Sequence, residues 1–229
     1  MSDKIKDTYV IVPVFNEEKM IGEVLDLLKK KFTNIVCVDD GSSDKSLAVI
    51  KSKNVYILEH LINLGQGASL QTGINFAILN GAKFFLTFDS DGQHNIKDAI
   101  QMINIIKKYK LDIILGSRFI NNQYEKQIPL FRKLMLKIAI QLSNFFSKLN
   151  LTDTHNGLRV FNLKFAKKLQ IKFDRMSHPY DILTNISKNK FKFKEYPSNI
   201  VYSDYSLSKG QKNINSFNIL FDMVFDIFR

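Results

Sequence analysis

The chain is poor in the residues that build covalent scaffolds and membrane spans. Of 229 residues only Cys37 is a cysteine, so no intrachain disulfide can form and a reducing compartment is expected. Cys37 stands in the apolar run Ile35-Val36-Cys37-Val38, where a small buried hydrophobe is the expected role. No stretch reaches the ~18 continuous apolar residues of a membrane span. The opening MSDKIKDTYV lacks the apolar core of a signal peptide. A cytoplasmic protein is therefore expected, free or resting on the cytoplasmic face of a membrane. Tryptophan is absent while Phe occurs 19 times, which points to a well-filled core and identifies no chemistry. Repeats, low-complexity segments and a clear interdomain linker are also missing, so one domain over 1–229 is expected.

What is present fits a globular α/β chain. Hydrophobic residues make up 45% and charged ones 24%. The net charge of +11, from 33 Lys+Arg against 22 Asp+Glu, favours anionic partners: phosphorylated small molecules, acidic headgroups or nucleic acid. Short β-rich runs at 9–14, 35–39, 55–58, 84–88 and 112–115 alternate with helical patterns at 17–30, 43–52, 67–80 and 96–109. That alternation predicts a largely parallel sheet. After residue 118 the pattern changes to a polar loop, a long basic amphipathic helix over 130–149, a short strand at 158–161, a helix at 180–188 and a basic strand at 191–196. The tail 216–229 sets Phe217, Leu220, Phe221, Val224, Phe225 and Phe228 on one helical face. The break divides the chain into a first part, 1–118, and a second, 119–229.

The chemistry concentrates at strand ends. In Phe84-Phe85-Leu86-Thr87-Phe88-Asp89-Ser90-Asp91-Gly92-Gln93-His94 an apolar strand ends in carboxylates at i and i+2, on one side of the chain. Open α/β sheets bind ligands beyond the carboxyl ends of their parallel strands. Hard oxygen ligands there suit Mg²⁺ or Mn²⁺ shared with a diphosphate. Two further strands end alike, in Val12-Pro13-Val14-Phe15-Asn16-Glu17 and in Val38-Asp39-Asp40-Gly41-Ser42-Ser43-Asp44. Asp39 or Asp40 would accept hydrogen bonds from a ribose or base, whereas Ser42 and Ser43 read as helix caps.

In order, VPVFNE, VDDGSSD, the segment Asn63-Leu64-Gly65-Gln66-Gly67 and DSDGQH resemble the signature blocks of family 2 glycosyltransferases. The pattern is most similar to the polyprenyl- and dolichyl-phosphate sugar synthases and related bacterial polysaccharide enzymes. The resemblance implies a GT-A, Rossmann-like fold: a mostly parallel sheet flanked by helices, here with amphipathic C-terminal helices. It places Pro13, Asn16 and Glu17 in the first nucleotide-binding turn and Asp39 with Asp40 near base and ribose. Asp89, Asp91 and Gln93 would serve the metal and diphosphate. Gly116-Ser117-Arg118 resembles the block closing the donor half, with Arg118, Arg132 and Lys209 as phosphate-binding cations. Asp153-Thr154-His155-Asn156-Gly157-Leu158-Arg159 resembles the acceptor block, in which Asp153, then His155, are the candidate bases.

The implied activity is inverting, metal-dependent transfer of a sugar from a nucleotide-diphosphate sugar to a polyprenyl phosphate or a cell-surface glycan. Neither the E-D pair nor the Q-x-x-R-W block of processive members occurs, so a non-processive enzyme is expected. A nucleotidyltransferase acting on sugar phosphates would carry a glycine-rich loop after the first strand, where Pro13-Val14-Phe15-Asn16-Glu17 stands instead. A nucleic-acid-binding module would gather basic and aromatic residues on one face. This sequence spreads its lysines along helices, and no nucleic-acid partner is expected.

Overall fold

Apolar runs form strands and amphipathic runs form helices in the anticipated order. The structure is a computed structural model that describes residues 4–121, 125, 128, 130–172 and 178–200, with the backbone alone at 131, 132 and 178. The strands are β1 (Ile5–Val14), β2 (Phe32–Asp39), β3 (Tyr56–Glu59), β4 (Phe84–Thr87), β5 (Ile113–Ser117), β6 (Arg159–Asn162) and β7 (Phe193–Pro197). The helices are α1 (Ile21–Lys29), α2 (Ser46–Lys51), α3 (Gln66–Leu79), α4 (Ile96–Tyr109), α5 (Leu130–Ser147), α6 (Leu163–Ala166) and α7 (His178–Asn189).

One sheet holds all seven strands in the order β3-β2-β1-β4-β6-β5-β7. Every neighbouring pair is parallel except the two that β6 makes with β4 and β5. β1 is buried from Thr8 to Val14 because helices cover both faces, as its unbroken apolar run requires. Alternation along that run divides the core. Tyr9 and Ile11 pack with Leu70 and Ile74 of α3 and with Ile182, Leu183 and Ile186 of α7. Val10, Val12 and Val14 pack on the other face with Val24, Leu25 and Leu28 of α1 and with Met102 and Ile106 of α4. Cys37 lies in this second cluster, fully buried, and burial pushes its thiol up to about 12. It is a packing residue.

The strand order sets the location of the site. From β1 the chain steps to β2 and β3 on one side, then returns to add β4 on the other. This reversal between β1 and β4 opens a crevice beyond their carboxyl ends, where such sheets bind ligands. Beyond the crevice, α5 realises the long basic helix and leaves Leu130, Leu134, Ile138 and Phe145 exposed. Among the described residues no helix is long and apolar enough to cross a membrane. The amphipathic tail expected over 216–229 lies outside the described residues.

Candidate active site

The turns after β1 and β2 are tied together by side chain to backbone hydrogen bonds. Asn16, in the left-handed region at φ 53°, donates its N–H to Ser42 Oγ at 3.0 Å and accepts from Ser43 N at 2.9 Å through Oδ1. The N–H of Glu17 donates to Ser46 Oγ at 2.7 Å, and that of Glu18 to Asp44 Oδ2 at 3.1 Å. The serine-rich run thus joins the two turns, whereas α2 has no side-chain cap hydrogen bond. Gly41, at φ 70°, brings the second turn so close to the loop after β3 that a Cβ would lie 2.8 Å from the Ile62 carbonyl carbon.

Asp39 and Asp40 have different surroundings. Asp40 Oδ1 accepts from Leu64 N at 3.0 Å and lies 2.7 Å from His60 Nδ1, while Oδ2 accepts from Gly65 N at 2.8 Å. The far nitrogen of His60 lies 3.0 Å from Thr72 Oγ1. Asp40 therefore shapes the loop that leads into α3, and it also lines the crevice. Asp39 accepts Ser42 N at 3.2 Å through Oδ2, but its buried Oδ1 has no partner.

Asp89 and Asp91 emerge beside this frame. Asp89 Oδ1 accepts from Gln66 Nε2 at 3.0 Å, and Oδ2 lies 2.8 Å from Nε2 of the buried His94. Behind Asp89 runs Gly157, anchored where Thr87 Oγ1 donates to its carbonyl at 2.6 Å. A Cβ at position 157 would overlap the Asp89 carboxylate. Asp91 accepts Gln93 N at 3.0 Å. Desolvation, then the negative charge of Asp89, pushes Asp91 up to about 6, with Glu17 adding to the rise.

Pro13, Glu17, Asp40, Asn63, Gln66, Asp89 and Asp91 line a cavity of about 370 Å³. Of the expected nucleotide and metal residues it gathers Pro13, Glu17, Asp40, Asp89 and Asp91. Asn16 sits in the supporting turn, Asp39 ends β2 in the buried layer, and Gln93 contacts Asp91 through its backbone. Among the described residues no group of three or more His, Cys, Asp or Glu side chains forms a complete metal cage. The donor set is nonetheless hard and anionic: two neighbouring carboxylates whose mutual repulsion a divalent cation would relieve. Phosphate and water oxygens would have to complete its shell, so the residues fit a cation that arrives with a diphosphate.

A second group forms beyond β5. Arg118 grips Asp153 with Nε at 2.7 Å and Nη2 at 2.8 Å, and its backbone N–H adds a bond at 3.1 Å. Asp153 is fully buried, and this guanidinium offsets its desolvation enough to hold its carboxyl below the usual range. Its oxygens face Arg118 and the N–H of His155, which bonds Oδ1 at 3.1 Å. The candidate base Asp153 is thus engaged by Arg118 and by the His155 N–H. His155 bonds Thr154 Oγ1 at 2.8 Å, and burial pushes its imidazole down to about 4, outweighing the pull of Asp153. Arg118 likewise turns its donor fork to Asp153, where a phosphate contact was expected.

Arg159, His94, Gln66 and His60 were not assigned roles from the sequence. Arg159 is buried at the start of β6, feels the charges of Asp89 and Asp153, and is pushed down to about 10 by burial. The sequence placed it in the acceptor block, and His94 in the DSDGQH run, but only folding sets them against Asp89. Nothing in the sequence marks His60. The side chain of Arg132 and the whole of Lys209 lie outside the described residues.

Residues 9–170 match the family described as "Glycosyl transferase family 2". The chain is 30% identical over 248 residues to the UDP-N-acetylglucosamine–dolichyl-phosphate N-acetylglucosaminyltransferase of Methanococcus voltae, covering 98% of this chain and 96% of that protein. It is 31% identical over 180 residues to a dolichyl-phosphate beta-glucosyltransferase of Trichomonas vaginalis, covering 69% and 54% respectively. Among solved structures, it resembles glucosyl-3-phosphoglycerate synthase from Mycobacterium tuberculosis in complex with Mn²⁺, uridine diphosphate and glucosyl-3-phosphoglycerate. There the TM-score is 0.65 at 11% identity, over 95% of this chain and 78% of that one. This likeness supports the GT-A arrangement of the sheet.

Proposed function

The chain belongs to glycosyl transferase family 2, and on that premise we propose that it transfers a sugar from a nucleotide-diphosphate sugar to a polyprenyl phosphate. The observation that carries the acceptor is the state of the two candidate bases. Asp153 is locked on Arg118, and His155 is held near 4. A hydroxyl acceptor needs a base within reach. A phosphate monoester, with its second pKa near ~6, is already ionised at neutral pH and needs none. The dolichyl-phosphate acceptors in the names of the two relatives support the same reading.

In this mechanism the donor half, 1–118, holds the nucleotide and the acceptor half, 119–229, presents the phosphate. Asp89 and Asp91 would hold Mg²⁺ or Mn²⁺, which supplies positive charge to the departing diphosphate. Asp39, buried at the end of β2 with an unmet Oδ1, would accept an N–H or O–H of the base or ribose. Gln66 and His94 fix the Asp89 carboxylate from two sides, and Asp40 fixes the loop that carries Gln66. An acceptor phosphate oxygen attacks the anomeric carbon as the bond to the nucleoside diphosphate breaks, inverting that centre. The Arg118–Asp153 pair fixes the acceptor loop, with Arg132 and Lys209 as further phosphate cations.

Contact with a membrane surface is part of this reading, supported by α5, whose Leu130 is 83% and Phe145 76% exposed, and by Leu61, Ile62 and Leu64 on the exposed loop beside the cavity. The deciding assay offers a panel of sugar nucleotides, UDP-N-acetylglucosamine first, with polyprenyl phosphate and either metal. Metal-dependent release of nucleoside diphosphate with formation of a lipid-soluble sugar is expected. Release unaffected by EDTA, or no release from any donor, would overturn the proposal.

A further inference from the structure

A second cavity, of about 560 Å³, lies between the C-terminal end of α5, residues 168–172 and α7. It shares no residue with the crevice that holds Asp89 and Asp91. Lys148, Lys168, Lys172 and Lys188 line it, and among the described residues none of their ammonium groups pairs with a carboxylate. Asp181, the one acid among the described residues of the lining, accepts the backbone N–H of Lys172 at 2.7 Å. Four cations against one committed carboxylate leave a local excess of positive charge.

The interior is also unsatisfied. Asn185 is only 9% exposed; its Oδ1 accepts from Asn189 Nδ2 at 2.8 Å, yet its own Nδ2 has no partner. One residue earlier, buried Thr184 Oγ1 is also without one. Buried amide and hydroxyl donors are ordinarily bonded, because leaving one unmet carries its full desolvation cost. Four lysines and two unmet donors among the residues of one lining are groups that an anion with several acceptor oxygens would satisfy.

We propose that this cavity binds a phosphate group, with the four lysines of its lining as cations and the unmet donors of Asn185 and Thr184, buried just behind that lining, turning to meet it. The chemistry is shared by a free phosphorylated compound and by a lipid headgroup, and the site is separate from sugar transfer. The test uses the full chain in EDTA, so that Asp89 and Asp91 repel a competing anion, and follows by NMR the Asn185 side-chain amide in wild type and the backbone amides of Thr184 and residue 185 in every variant. Pyrophosphate and vesicles of phosphatidylglycerol in phosphatidylcholine are titrated separately. A saturable shift with pyrophosphate assigns a free phosphate compound, and a shift with vesicles alone assigns a headgroup. Asn185→Asp, nearly isosteric but anionic, should weaken the responding probe about 30-fold, and Lys168→Ala/Lys188→Ala about tenfold. Lys6→Ala/Lys83→Ala, which changes net charge equally elsewhere, should change it less than twofold. An Asn185 amide unmoved by either probe, or equal weakening by both lysine pairs, would overturn the proposal. Thermal melts of each variant confirm that it folds.

Discussion

Replacing Asp91 with asparagine should stabilise the metal-free protein at neutral pH while removing its response to metal. Asp91 rises from 3.8 to about 6 because burial and the neighbouring Asp89 both oppose its ionised form. The folded chain therefore binds this proton more tightly than the unfolded chain does. Stability from this group is fully present below pH ~4 and is lost as pH rises through ~6. About two pKa units at ~1.4 kcal/mol each give up to about 3 kcal/mol, and nearer 2 kcal/mol where the carboxylate is partly solvent-screened. Asp91→Asn cannot ionise and escapes that loss. Urea unfolding in EDTA at pH 4.5 and pH 7.5 measures the difference, with the variant gaining on wild type only at the higher pH. Adding Mn²⁺ together with a nucleoside diphosphate at pH 7.5 should then stabilise wild type and leave the variant unchanged. Wild-type affinity for Mn²⁺ should fall about tenfold per pH unit below 6. A variant equally destabilised at both pH values, or Mn²⁺ affinity level between pH 5 and 7, would refute the account of Asp91 as a strained metal ligand.

Three further outcomes follow from the geometry. Gly157→Ala drives a methyl into the Asp89 carboxylate and should lower transfer activity by about 100-fold, at a stability cost of about 1–3 kcal/mol, read from initial rates and urea unfolding. Asp153→Asn leaves the buried Arg118 charge without its partner and should cost about 3–5 kcal/mol, whereas Arg118→Met/Asp153→Leu should recover much of that stability without recovering activity. Asp40→Asn turns acceptors for Leu64 N and Gly65 N into a weaker set, so unfolding should show a loss of about 1–3 kcal/mol, with KM for the donor rising more than kcat falls.

Much of the donor side was legible because strand ends are a local property of sequence. Apolar runs broken by Asn16-Glu17, Asp39-Asp40 and Asp89-x-Asp91 announce both the strands and the edge where their polar residues gather. Local pattern also anticipated α4 over Ile96–Tyr109 to the residue, since the N-cap Asn95 and the apolar stripe lie within one segment. The short α6 was missed, because four residues are too few to display a period.

The sequence by itself determined which residue types could meet a metal and a nucleotide, and that they would share one sheet edge. Tertiary structure alone decided which of them face the cavity and which hold others in place. Asp39 and Asp40 are adjacent in the chain, yet one keeps a buried unmet oxygen and the other binds a loop more than twenty residues away. Asp153, a candidate base by motif, is gripped by Arg118, which lies 35 residues earlier. The physical reason is common to both cases. A carboxylate's chemistry is set by the donors and charges within a few ångströms, and here those arrive from distant segments that only the assembled sheet brings together.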